Sequence, residues 1–317
     1  MNKEDLRIVF MGTPEFAVPS LKMLIEEGYP VCAVVTQPDR PKGRGHKLVP
    51  PPVKVLAQEH GITVLQPEKV TKDGFEDLKA QNANLFITAA FGQILTQAVL
   101  DLPEHGTINV HGSLLPKYRG SAPIEWAVIN GEAEAGVTTM YTVRAIDAGD
   151  MLMRDAVEIT ENMTGGELRE KLSEVGAVTL KRTLEALLKG TLEAVPQDEA
   201  ESTYYPIPDR DLACINWEKS TKEIRNLVRG LNPAPMAYTF TDGQKVKIFE
   251  IGFAENMSGA AEPGSILVKD PKKGLIVRTG DGTAEILRLQ FPGGKPMSAK
   301  DYLRGKGISA DAFTKGE

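Results

Sequence analysis

Asn109, His111 and Asp147 are the side chains of this 317-residue sequence whose types best suit chemistry. Asn109 and His111 lie in Ile108-Asn109-Val110-His111, which reads as the end of a buried strand. Side chains alternate across a strand, so these two point one way and Ile108 and Val110 the other. An Asn amide donates hydrogen bonds, and a His can gain or lose a proton near neutrality. Together they suit non-covalent acyl transfer, in which an amine attacks a carbonyl and negative charge develops on its oxygen. Asn109 would donate to that oxygen, and His111 would donate a second bond or pass a proton. Asp147 would orient His111, favour its cationic form and position a water. Each residue also has a quieter reading. Asn109 can cap a turn, His111 can be a satisfied half-buried ring, and Asp147 and Asp150 can form the turn that Gly149 encourages.

Other chemistries find less support. Ser113 stands beside His111 but in no nucleophile elbow. Cys32 and Cys214 are far apart, with apolar neighbours and neither a metal nor a disulfide spacing, which suggests free thiols in the cytosol. The four His residues show no ligand spacing, so no metal is expected. A strand at Leu6–Met11, a turn at Gly12-Thr13-Pro14 and a helix over Val18–Glu26 resemble a nucleotide-binding start. Pro14 falls where a dinucleotide fingerprint needs its second glycine, so a nicotinamide cofactor is not expected.

The elements that must position the trio read as an open α/β sheet. Val31–Thr36 is a second strand, and Leu85–Ala90 is an apolar strand suited to a parallel sheet covered on both faces. Gly92 turns the chain over the sheet edge, where Phe91, Ile94 and Leu95 could line a flat apolar pocket or simply pack in the core. A basic loop with Lys117 and Arg119, bounded by Pro116 and Gly120, follows His111. Gly136–Thr142 and Met151–Ile159 are further strands, and a long helix starts near Thr164. A polar stretch then reads as a linker. After a helix over Trp217–Gly230, short strands and turns suggest a small closed barrel. The expected domains are residues 1–190, a linker over 191–210, and a barrel over 211–317.

Charge adds one distinction. The formal net charge is -6, which argues against a protein coated in nucleic acid. Residues 206–317 nevertheless hold 17 Lys and Arg against 14 Asp and Glu, so the acidity lies upstream. Within that acidic region, Gln37–Pro52 is a long Gly/Pro loop carrying Arg40, Lys42, Arg44 and Lys47, with His46 as a fifth cation when protonated. Such a loop suits a phosphate-backbone clamp or a solvated mobile insertion. It lacks aromatic residues, so base stacking is not indicated there. The start shows no signal-peptide pattern, so none is expected, and no run reaches the roughly 20 apolar residues of a membrane span.

Asn109, His111, the run Ser113-Leu114-Leu115-Pro116-Lys117-Tyr118-Arg119-Gly120 and Asp147 resemble the signature of the 10-formyltetrahydrofolate-dependent formyltransferases. The start Phe10–Ala17, the Gln37–Pro52 loop and the Trp217–Pro235 region extend the resemblance along essentially the whole chain, toward the branch that acts on tRNA. It implies a Rossmann-like formyltransferase domain joined to an OB-like β-barrel. It implies 10-formyltetrahydrofolate as formyl donor and the methionine amino group of initiator methionyl-tRNA as acceptor; a cytoplasmic monomer is expected. On matched positions Asn109, His111 and Asp147 carry catalysis. The donor pocket would comprise Ala90, Phe91, Gly92, Gln93, Ile94 and Leu95, then Ser113, Leu114, Leu115 and Pro116, with Val143 and Asp147. Arg40, Lys42, Arg44, Lys47, Lys117 and Arg119 would meet tRNA, with Arg44 leading. Phe91 departs from the Tyr often found there, losing a hydroxyl but keeping the ring. A small acceptor, such as glycinamide ribonucleotide or a sugar-nucleotide amine, would leave the loop and barrel unexplained. An inactive tRNA- or folate-binding module would leave the intact trio unexplained.

Overall fold

The computed structural model describes residues 1–42, 47–255, 257 and 259–315, with Lys42 described by its backbone alone. Two compact units emerge, one comprising residues 1–123, 134–158 and 169–205, the other residues 124–133, 159–168 and 206–317.

The first unit starts with β1 (Ile8–Gly12), α1 (Val18–Glu26) and β2 (Val31–Val35). A small ribbon follows, β3 (Arg40–Lys42) with β4 (Lys47–Val49), then α2 (Pro52–Glu59), β5 (Thr63–Leu65) and α3 (Phe75–Lys79). Next come β6 (Leu85–Ala89), α4 (Gln97–Leu100) and β7 (Thr107–His111). Beyond α5 (Pro123–Ile129) lie β8 (Glu134–Tyr141), β9 (Met151–Glu158) and the long α6 (Gly165–Lys189).

Seven of these strands form one sheet in the order β5-β2-β1-β6-β7-β8-β9. The pairs from β5 to β7 are parallel, while β8 and β9 extend the sheet antiparallel. Every residue of β1 and β6 is buried, as parallel strands covered on both faces require. β9 instead alternates in burial, as a half-exposed edge strand does. Along α6, Leu172, Ala177, Leu180 and Leu184 form a buried stripe at helical spacing. Gly176 lets that stripe approach β7, since a Cβ there would lie 2.9 Å from Val110 Cγ1. The chain goes outward from β1 through β2 to β5, then returns to β6 on the other side of β1. That reversal opens the crevice at the carboxyl edge where such sheets bind ligands.

Residues 191–205, expected as a connector, are instead bonded into the first unit. Val195 bridges Met151, and Tyr204 bridges Arg119. The second unit includes α7 (Arg210–Ala213) and α8 (Thr221–Gly230), then β10 (Tyr238–Thr241), β11 (Gln244–Phe253), β12 (Ile266–Asp270), β13 (Gly274–Arg278), β14 (Thr283–Gln290), β15 (Met297–Ser298) and α9 (Ala299–Gly305). Its sheet runs β10-β11-β14-β13-β12. The terminal segment joins the two outer strands through bridges from Ala312 to Ser265 and from Thr314 to Phe240. The result is an OB-like barrel filled by Trp217, Val246, Ile248, Val277, Ile286, Leu289 and Phe313, with Ile224 and Val228 of α8 packed in. α8 starts later than the sequence suggests because Ser220 caps it, accepting from the Glu223 N–H.

Candidate active site

At the carboxyl edge of β7, Asn109 pairs in register with Thr88 of β6. The Thr88 hydroxyl donates to Asn109 Oδ1 at 2.8 Å. That bond occupies the amide oxygen, and the Asn109 NH2 group lies on the other side as a donor. His111 is buried, and its Nε2 lies 3.0 Å from the Tyr118 carbonyl oxygen. A carbonyl only accepts, so Nε2 carries a proton and Nδ1 stands on the other side of the ring. His111 Nδ1 faces Asp147 Oδ1 across 3.7 Å. Asp147 was expected to orient the ring, but this gap exceeds a hydrogen bond. The orienting bond comes from Tyr118, and Asp147 supplies a carboxylate opposite the free nitrogen.

Asp147 is held by its second oxygen, which accepts from the Gly120 N–H at 2.9 Å. Both partners occupy the left-handed region, Asp147 at φ 50° and Gly120 at φ 105°. Gly120 suits this place doubly, because a Cβ would lie 2.5 Å from the Tyr205 carbonyl oxygen. Tyr118 and Ala90 are also left-handed, at φ 61° and 45°. Non-glycine residues seldom adopt that conformation, and their gathering around one edge marks a functional site.

Polar bonds also tie the loops above β1, β2 and β6 together. Thr13 Oγ1 donates to the Phe91 carbonyl at 3.0 Å and accepts from the Gln37 N–H at 3.2 Å. Gln37 Nε2 donates to the Gly92 carbonyl at 3.1 Å. Thus Gly12-Thr13-Pro14, where a dinucleotide turn fails, serves to brace the Ala90–Leu95 segment. Ile94 lies 72% exposed after β6, while Val143 and Ile146 are 43% and 52% exposed after β8. β6 and β8 flank β7, so exposed apolar side chains stand on either side of the strand that carries Asn109 and His111.

Several expected contacts turn inward. Phe91 and Leu95 join the core under the sheet edge. The Gln93 amide is committed to the Val70 N–H and the Pro67 carbonyl. Ser113 donates to the Lys117 carbonyl, Leu115 packs with Met140 and Met151, and Pro116 is buried. Arg119, expected to meet phosphate, is buried and forks onto Glu199 with bonds of 3.0 and 2.8 Å. That guanidinium holds the Glu199 carboxyl below its ordinary range. Arg40, Lys47 and Lys117 are exposed. Arg44, His46 and the Lys42 side chain lie outside the described residues. Thr88, Gln197 and the Tyr118 carbonyl escaped sequence reasoning; only the strand-paired position of Thr88 offered a signal. Among the described residues, no group of three or more His, Cys, Asp or Glu is placed to hold a metal.

Comparisons with known proteins follow the same division. Residues 6–184 match the family model described as formyl transferase, and residues 209–307 match its C-terminal domain. The chain is 50% identical over 301 residues to a methionyl-tRNA formyltransferase of Acetivibrio thermocellus, covering 95% of this chain and 96% of that one. A methionyl-tRNA formyltransferase of Halalkalibacterium halodurans is 49% identical over 306 residues, covering 95% of each chain. Among solved structures, WlaRD, a sugar 3N-formyl transferase, superposes with a TM-score of 0.66 at 20% identity, over 92% of this chain and 99% of that one. HypX from Aquifex aeolicus, in complex with tetrahydrofolic acid, gives a TM-score of 0.63 at 18% identity, over 94% and 47%. These two likenesses concern the fold.

Proposed function

The chain belongs to the formyl transferase family, and we propose that it moves the formyl group of 10-formyltetrahydrofolate to the methionine amino group of initiator methionyl-tRNA. The observation that carries this reading is an outward-facing Asn109 amide beside a buried His111 whose Nδ1 faces Asp147. The donor supplies a formyl carbon open to attack by an amine and a nitrogen that departs with a proton. Asn109 donates to the formyl oxygen as negative charge develops there. His111, protonated at Nδ1, adds a second donor or passes that proton to the departing nitrogen. Asp147 accepts the proton that the attacking amine gives up. The product is an N-formyl amide, and no covalent enzyme adduct forms.

Ala90, Gly92, Ile94, Leu114 and Val143 would shape the donor's place. Exposed apolar side chains on both sides of β7 fit a flat heterocycle, with Phe91 and Leu95 supporting it from below. For tRNA, the exposed Arg40, Lys47 and Lys117 fit phosphate contacts. The second unit supports the same acceptor through its outer strand faces. Lys245 Nζ lies 3.3 Å over the Tyr238 ring, and the Arg288 guanidinium 5.7 Å over Phe249. Cations interleaved with aromatic rings fit nucleic acid, a combination absent from the Gln37–Pro52 loop. We take the protein to act as a cytoplasmic monomer. Two free, half-buried thiols suit a reducing compartment, and no described helix is long and apolar enough to cross a membrane.

The test offers the formyl donor with initiator methionyl-tRNA, free methionine or glycinamide ribonucleotide. Formyl-methionine recovered from tRNA, with little product on either small amine, is expected. Transfer only to a small amine would overturn the acceptor assignment.

A further inference from the structure

Gln197 lies in the polar stretch after α6, far in sequence from the catalytic trio, yet it is bonded on both sides of it. Its Nε2 donates to the Asp147 carbonyl at 2.8 Å and to the Gly149 carbonyl at 2.7 Å. Its Oε1 accepts from Arg119 Nε at 3.0 Å. The orientation of the amide is forced, because the two carbonyls only accept and the guanidinium only donates. Neighbouring residues reinforce the link. Thr203 Oγ1 accepts from the Tyr118 N–H, and the Thr203 carbonyl accepts from the Arg119 N–H, each at 2.8 Å. Tyr205 stacks on Tyr118 with ring centroids 4.8 Å apart.

Resting on the formyl-transfer reading above, we propose that Gln197 is a positioning residue that sets Asp147 opposite His111. One loop carries the Asp147 carboxylate. The other carries the Tyr118 carbonyl that holds His111 and the Gly120 N–H that holds Asp147. Gln197 joins the two loops through one amide, so it fixes the 3.7 Å separation of Asp147 from His111, beside which the amine must lose its proton. Asp147 is left-handed at φ 50°, a backbone conformation that needs such external bonds to persist. Glutamine fits where glutamate does not, since two donors and an acceptor are required at once. A carboxylate would face two carbonyl oxygens with nothing to donate.

The test compares Gln197→Met, which keeps the volume and loses the bonds, with Gln197→Glu, which keeps only the bond from Arg119. For each, kcat should fall about tenfold or more, with KM for tRNA and donor within about twofold, because misplacement touches the reacting geometry rather than binding. Combining Gln197→Met with Asp147→Asn should slow the enzyme no more than Asp147→Asn alone. A merely structural role would instead multiply the two losses. Wild-type kcat in either folded variant, or multiplying losses, would overturn the proposal. Should Gln197→Met not fold, Gln197→Glu and its own combination with Asp147→Asn decide the matter. A wild-type protein that leaves methionyl-tRNA unformylated points to the failure of the formyl-transfer reading instead.

Discussion

Thr88 holds the Asn109 amide at the carboxyl edge of β7 through a single hydrogen bond. The Thr88 hydroxyl donates to Asn109 Oδ1 at 2.8 Å, which leaves the amide nitrogen on the side where the proposed reaction needs a donor. Replacing Thr88 with Val keeps the shape of this buried position and removes the bond. A neutral hydrogen bond is worth about 1 kcal/mol net, so kcat should drop roughly fivefold while KM holds. Steady-state kinetics of Thr88→Val checks this, and an unchanged kcat would mean that Asn109 is oriented by something else. That Asn109 and His111 share one strand face was legible in the sequence, because a polar pair before a Gly- and Pro-bounded loop is an unusual pattern, and the structure places Asp147 3.7 Å from His111. Their partners were not. The proton on His111 is placed by a main-chain carbonyl, which carries no residue signature, and Gln197 sits in a stretch with no periodicity. Arg119 misled for a related reason. A cation in a loop looks free until the carboxylate that buries it, Glu199, is brought from 80 residues away.

At the scale of elements, hydrophobic patterning located the buried strands well. β1, β6 and β7 are close to their expected bounds, because continuous apolar runs leave them only one environment. Polar segments were harder. The stretch over 191–205 lacks a buried face, yet backbone pairing and side-chain bonds fasten it to the site. The start of α8 shows how capping overrides a longer helical reading, with Ser220 and Glu223 bonding reciprocally. Those bonds from Ser220, with help from Lys219, lower the Glu223 carboxyl from 4.5 to about 2. Because the folded value is depressed, its contribution to stability is full above about 4.5 and is lost as pH falls from there toward 2. Ser220→Ala should lower stability by about 1 kcal/mol at neutral pH. The loss should shrink on acidification through that window, as thermal melts at several pH values would report. A melt unchanged at neutral pH would show that the cap contributes nothing.

For the whole molecule, an acidic average conceals surfaces that can meet a polyanion. The net charge is -6, yet Arg40 and Lys47 are exposed on the β3–β4 ribbon, and cations stand over aromatic rings in the second unit. The sequence located that ribbon's charge but read it as a loop, because two three-residue strands hidden among Gly and Pro give no periodic signal. It cut the chain once into domains, whereas the second unit also takes residues 124–133 and 159–168. Short insertions of this kind are invisible until Ile129 is found packed against the barrel core. If the ribbon contacts phosphate, Arg40→Ala and Lys47→Ala should each weaken tRNA affinity and flatten its logarithmic salt dependence by roughly 0.7 to 0.9. Binding isotherms across a range of salt would reveal a slope indifferent to both changes if the contact does not exist. The central claim, that the Asn109 edge formylates methionyl-tRNA, is tested most directly by single-turnover transfer with wild-type protein and Asn109→Ala. Loss of an aligned oxyanion donor should slow the chemical step by about 10² to 10³, with tRNA affinity and thermal midpoint unchanged. A rate in Asn109→Ala equal to that of the wild type would contradict it.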